Sequence, residues 1–141
     1  MQGKRGLIMG VANDHSIAWG IAQTLADHGA ELAFTYQDEN FEKRVRPLME
    51  SVGSTVAAQC DVADEATIDG AFDTVRAAWG GLDFVVHAIA FSDKAELKGR
   101  YLDTTRENFT RSLEISCYSF TAVAKRAAAM MDNGGSILTL T

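Results

Sequence analysis

A chain of 141 residues with 47% hydrophobic and 23% charged side chains has the composition of one ordinary globular domain. Its formal net charge of -6, carried without any basic run, excludes the usual footprint of a nucleic-acid partner. No apolar run reaches the ~18 residues of a membrane span, no signal-peptide core opens the chain, and Cys60 and Cys117 form no CxxC, so the expectation is a cytoplasmic domain with reduced thiols and no membrane contact.

Arg5–Met9 (RGLIM) predicts a buried strand, followed by the loop MGVANDHSIAWG. Ile17, Ile21 and Leu25 then recur every fourth residue beside Ala18, Ala22 and Ala26, which predicts a helix closed at Gly29. Ala30–Tyr36 and Ser54–Cys60 predict the second and third strands. Ile68, Phe72, Val75 and Trp79 mark another helix, with Asp64 as its N-cap. GLDFVVHAIA holds a fourth strand, whose continuous apolar core suits a sheet covered on both faces. Thr104-x-x-Glu107 predicts a capping box opening a long helix to about Met131, closed by DNGG, and Ser136–Thr141 predicts a fifth strand.

This alternation implies a Rossmann-type α/β fold: a doubly wound parallel sheet in three α/β/α layers with right-handed crossovers. A complete sheet of that kind pairs two nucleotide-binding halves. Here the chain stops at about the fifth strand, so residues 1–141 are expected to form a dinucleotide-binding domain truncated at its C-terminus.

The opening loop carries the first chemistry. It follows a strand and opens a helix, where backbone N–H groups and the helix dipole favour an anion. Gly10 suits a tight turn, and Ser16, Ala18 and Gly20 are small enough for a pyrophosphate and the neighbouring strand to approach. Asp14 or Ser16 caps the helix, or Ser16 gives its hydroxyl to a phosphate. A tight turn with a capping serine remains the plainer alternative; the strand-before, helix-after context favours a nucleotide.

Gly10-x5-Ser16-Ile17-Ala18-x-Gly20 resembles the divergent glycine motif of the enoyl-acyl-carrier-protein reductases, within the short-chain dehydrogenase/reductase superfamily. The similarity runs on in order through GIAQTLADHGAELAFTYQ, QCDVADEATID, LDFVVHAIAF, ISCYSF and GSILTLT, and points to the bacterial NADH-dependent form. The resemblance implies NADH as cofactor, a trans-2-enoyl thioester of acyl carrier protein as substrate in fatty-acid synthesis, and a homotetramer. It also implies that Gly10, Ser16 and Ile17 hold the pyrophosphate, and that Gln37 contacts the adenosine ribose. Asp61 and Val62 then grip the adenine, Ile89 packs near the nicotinamide ribose, and Ser92 touches the acyl substrate. Alternatives stand beside these roles: Gln37 as a solvated strand end, Asp61 as a turn or capping residue, and Lys43 and Arg44 as a reason to keep NADPH open. Ala88-Ile89-Ala90 departs from the Ser-Ile-Gly or Ser-Ile-Ala of relatives, removing a hydroxyl at Ala88.

Reduction of an enoyl thioester needs an acid at the developing enolate oxygen. In the resembled family a Tyr-x6-Lys pair serves, and that spacing puts both groups on one helical face. Tyr118-x6-Lys125 matches, but it precedes the fifth strand whereas the family pair follows it. It is read as a decoy, so no catalytic residue is expected before Thr141. His15, His28 and His87 lack metal-ligand spacing, and His87 reads as a packed or hydrogen-bonded core residue. Trp19 and Trp79 read as packing residues, and Asp38–Glu39 and Asp64–Glu65 as solvated ends. There is neither a P-loop nor a G-x-S-x-G elbow. Two rivals remain: a short-chain reductase of another carbonyl substrate, which HAIA in place of Asn-Ala-Gly disfavours, and a noncatalytic nucleotide-binding fragment.

Overall fold

The computed structural model describes residues 1–140. Five parallel strands, β1 (Arg5–Met9), β2 (Glu31–Tyr36), β3 (Val56–Gln59), β4 (Phe84–His87) and β5 (Ser136–Thr139), lie in the order β3-β2-β1-β4-β5. The chain leaves β1 for β2 and β3 on one side, then crosses to β4 and β5 on the other. The order reverses between β1 and β4, and in such sheets ligands bind beyond the strands' carboxyl ends at that point. The register Leu7↔Ala33 and Leu7↔Val85 holds β1 at the centre.

Alternation along the strands divides the core into two layers. Leu7, Met9, Ala33 and Val85 face α3 (Glu65–Trp79) and α5 (Ser119–Ala128) through Ile68, Phe72, Val75, Val123 and Ala127. Ile8, Leu32, Phe34 and Val86 face α1 (Ile17–Asp27) and α2 (Glu39–Ser51) through Ala18, Trp19, Ala22, Val45 and Met49. Each fully buried large side chain contributes roughly 1.5–3 kcal/mol of transfer free energy. That explains the absence of any polar face on the central strands.

Gly29, at φ +84° after the C-cap His28, closes α1 as the sequence predicts. Asp64 caps α3 by accepting from Ala66 N–H. Trp19 and Trp79 are packing residues: Trp19 is buried against Phe34, and Trp79 lies under the Arg5 guanidinium.

Several boundaries differ from expectation. α2 has no counterpart in the sequence reading, because only Val45 and Met49 of its thirteen residues are buried and its sequence carries Pro47, which the helix runs through. Asp38 is the N-cap of that helix, accepting from Asn40 N–H and Phe41 N–H, rather than a loose strand end. The second strand starts at Glu31 and the third covers only Val56–Gln59. Ser54, expected in that strand, instead donates its hydroxyl to Leu32 O at 2.5 Å.

The long helix is capped one residue later than predicted, at Thr105, whose hydroxyl accepts from Asn108 N–H. Glu96, from a 3₁₀ turn upstream, takes the reciprocal place by accepting from Thr105 N–H and Thr105 Oγ1. The helix runs as α4 (Arg106–Leu113), a π turn (Glu114–Tyr118) and α5, and ends at Ala128 rather than Met131. Thr141, the last residue of the predicted fifth strand, lies outside the described residues.

Candidate functional site

A cleft of about 250 Å³ opens beyond the carboxyl ends of the strands. Its floor is the loop after β1 (Gly10–Ala12), and its walls are Tyr36 and Gln37 after β2, Cys60–Ala63 after β3, and Ala88–Phe91 after β4. Arg111 of α4 and Ile115 of the π turn close the far side. This is the switch point of the sheet.

Gly10 is a glycine for two separate reasons. Its φ of +102° is a left-handed conformation that side chains disfavour, and a Cβ there would stand 2.0 Å from Ala88 O. The turn therefore exists only because β1 and β4 end against each other without a side chain between them.

Ser16 occupies the N-cap position of α1 without capping it. Its Oγ instead accepts from Ala12 N–H at 2.9 Å and Asn13 N–H at 3.1 Å, which folds the loop back on itself. With its acceptor capacity used, the hydroxyl keeps its proton for an outside acceptor. The first turn of α1 holds no acidic side chain, so the positive end of its dipole is left uncompensated. Ser16 and Ile17 stand beside the cleft rather than in its lining, and Ile17 is 70% exposed at the rim. Gly20 differs from its expected role: it faces open space, and Ala18, buried against the sheet, provides the close packing.

Gln37 and Asp61 come together, with Gln37 Nε2 donating to Asp61 Oδ2 at 3.4 Å. Asp61 is also the turn residue weighed as its alternative, since Oδ1 accepts from Ala63 N–H at 3.0 Å. One carboxylate oxygen thus shapes the turn while the other faces Gln37. Val62 and Ile89 sit half-buried at the edge of the core layer, offering flat apolar surface to the cleft. Asp61 and Arg111 are the only charged residues among those lining it.

Ser92 lies in a neighbouring groove with Asn108, whose Nδ2 donates to its Oγ at 3.2 Å. Asn108 also accepts from Asp93 N–H, so the segment after Phe91 is tied to α4.

Residues that the sequence reading passed over also line the cleft. Arg111 stacks its guanidinium 4.8 Å from the Phe91 ring centroid, and Ile115 lies one helical turn along the same face. Nothing local marks either position, since both reach the cleft only through the docking of α4. Cys60 is buried in the wall, and desolvation pushes its thiol up to about 11, so it stays protonated and unreactive.

Tyr118 and Lys125 do not line the cleft, and the Tyr118 hydroxyl donates to Glu65 at 3.4 Å. His87 is fully buried between Thr139 and Ser119, as the sequence reading expects. Among the described residues no three His, Cys, Asp or Glu side chains are grouped to hold a metal, and no helix is long and apolar enough to cross a membrane.

Fold and cleft together define a Rossmann-type α/β chain with a cleft at the switch point. A family model described as enoyl-(acyl carrier protein) reductase matches residues 10–141, and the chain belongs to that family. It is 63% identical over its whole length to enoyl-[acyl-carrier-protein] reductase [NADH] 2 of Rhizobium meliloti, covering 53% of that protein. The enzyme named FabI of Rickettsia felis is 53% identical, with 54% of it covered. A crystal structure of the Anaplasma phagocytophilum reductase in complex with NAD superimposes with a TM-score of 0.96 at 57% identity, over 100% of this chain and 54% of that one. The chain spans about half the length of the curated relatives it matches.

Proposed function

We propose that this chain is the cofactor-holding part of an NADH-dependent enoyl-acyl-carrier-protein reductase of fatty-acid synthesis. The carrying observation is the pairing of the Gly10 turn with Ser16 at an uncapped helix start, opening on the switch-point cleft. A dinucleotide fits these residues. Gly10, Ser16 and Ile17 would take the pyrophosphate, with backbone N–H groups and the free Ser16 proton as donors. Gln37 would meet the adenosine ribose, Asp61 and Val62 the adenine, and Ile89 the nicotinamide ribose. NADH, when bound, would supply hydride to a trans-2-enoyl thioester.

Asp38 supports NADH over NADPH. Its carboxylate already occupies the N-terminus of α2, next to Gln37, where a 2′-phosphate would otherwise be drawn. Ser92 would stand near the acyl substrate at the mouth beside Phe91. Relatives named as acting on acyl carrier protein support that partner for this chain. Exposed Leu97, Tyr101, Leu102, Phe109 and Leu113, carried on and before α4, support a homo-oligomer, the tetramer of the family resemblance, working in the cytoplasm.

The test is a fluorescence titration with NADH and NADPH, joined to an NADH-oxidation assay on a crotonyl thioester. Saturable NADH binding that Ser16→Ala weakens supports the reading. Absence of binding to protein that is folded by circular dichroism overturns it.

A further inference from the structure

The dinucleotide reading meets a pyrophosphate with backbone N–H groups and one hydroxyl, and with no full positive charge. The molecule that the anion enters has a formal net charge of -6. Of the two charged residues that line the cleft, Asp61 has the wrong sign for a phosphate. Lys43 and Arg44 are exposed on α2 and do not line it. That leaves Arg111 of α4, which closes the side of the cleft away from Gly10. The same side chain lines a neighbouring groove with Ala63, so it spans the rim from the turn after β3 to the loop after β4.

This guanidinium is poised rather than paired. Arg46 pairs with Glu42 four residues before it, and Arg100 with Asp103 three residues after it. Arg111 has both opportunities, in Glu107 and Glu114, yet among the described residues it forms no ion pair. It lies instead on the Phe91 ring, 4.8 Å from the centroid. That ring stands on an anchored backbone: Phe91 N–H donates to Ser116 Oγ at 2.9 Å, and Phe91 O accepts from the same hydroxyl at 3.3 Å. A guanidinium resting on an aromatic ring keeps the N–H donors around its edge available to an outside acceptor.

We propose that Arg111 is a cofactor-binding residue: seated on Phe91 at the rim, it supplies the full positive charge that the cofactor pyrophosphate meets in the cleft. This rests on the dinucleotide reading and adds a residue to it. The attraction needs no direct contact. Charges in dilute salt act over ~10 Å or more, a distance that spans a cleft of about 250 Å³. Arg111 is exposed, so dissolved salt screens the attraction. Packing of its stem on Phe91 is not screened, and that difference separates a charge role from a structural one.

The test is a fluorescence titration of the parent, Arg111→Gln and Arg111→Glu with NADH, at about 20 mM and about 500 mM sodium chloride. All three proteins are first shown to be folded by circular dichroism. Arg111→Gln should bind ~5-fold more weakly than the parent at the lower salt, and Arg111→Glu more weakly again. At the higher salt the affinities should draw to within ~2-fold of one another. Salt effects on the rest of the acidic molecule are common to all three, so the gap between parent and variant is the quantity read. Arg111→Gln decides by itself if charge reversal between Glu107 and Glu114 weakens the helix. A gap below ~2-fold for Arg111→Gln at the lower salt overturns the proposal. So does a gap that fails to shrink at the higher salt, which would assign Arg111 to packing on Phe91 instead. Either result, with NADH still bound by the parent, refutes the role of Arg111 alone. If the parent binds no NADH at either salt, the dinucleotide reading falls and the role of Arg111 falls with it.

Discussion

At the scale of single residues, the cleft depends on side chains that are absent as much as on those present. Gly10 has both a left-handed φ and the backbone of Ala88 where a Cβ would go. Gly10→Ala should lower stability by roughly 1–3 kcal/mol and abolish NADH binding, read by thermal denaturation and titration. Parent-like binding in that variant would mean that the turn is not the phosphate cradle. Asp38 presents the opposite case, a charge placed where an anion would otherwise be attracted. Asp38→Asn keeps an N-cap oxygen and removes the charge. NADPH affinity should then rise on the order of 10-fold relative to NADH, with stability little changed. An unchanged cofactor ratio would remove Asp38 from the account of specificity.

Among elements, the strand starts are tied by a carboxylate that the sequence reading did not single out. Asp83, just before β4, accepts from Arg5 N–H at 2.8 Å and Lys4 Nζ at 3.0 Å. The Arg5 backbone bond, then the Lys4 bond, holds its pKa below the ordinary aspartate value. As for any depressed acid, the stabilisation is present above the ordinary aspartate value and disappears as pH falls through the lowered native value. Asp83→Asn should therefore cost about 1 kcal/mol at neutral pH and flatten the acid limb of a stability profile, followed by urea titration at several pH values.

Boundary errors share one cause at this scale. Thr104 and Thr105 are chemically alike, and only Glu96, brought close by the fold, selects Thr105 as the cap. α2 escaped notice because its exposed face is polar and its buried face is only two residues wide. The π turn over Glu114–Tyr118 has no sequence signature at all.

For the molecule as a whole, β5 pairs with β4 alone among the described strands, and Leu138 on it is 44% exposed. Exposed apolar side chains before and along α4 add a second sticky surface. A preparation of these 141 residues by themselves should self-associate, as seen by sedimentation and irreversible thermal scans. A sharp, reversible transition of a monomer would contradict that expectation.

By itself, the sequence determined the class of fold, the five strands and the loop that opens the cleft. Apolar runs, fourfold spacing and a glycine turn are local patterns, and burial on both sheet faces forces them to be read one way. The family resemblance in its motifs added the expectation of NADH, with Gln37, Asp61, Val62 and Ile89 as its proposed contacts. Tertiary structure alone decided the rest: the strand order, the contact of Gly10 with Ala88, the meeting of Gln37 with Asp61, and the placing of Arg111 and Ile115. His87 and Thr139 are 52 residues apart in the chain, and parallel crossovers bring them into one hydrogen bond. Such partners are joined by long connections whose packing no local pattern records, so the chemistry of the cleft became visible only once the sheet was assembled.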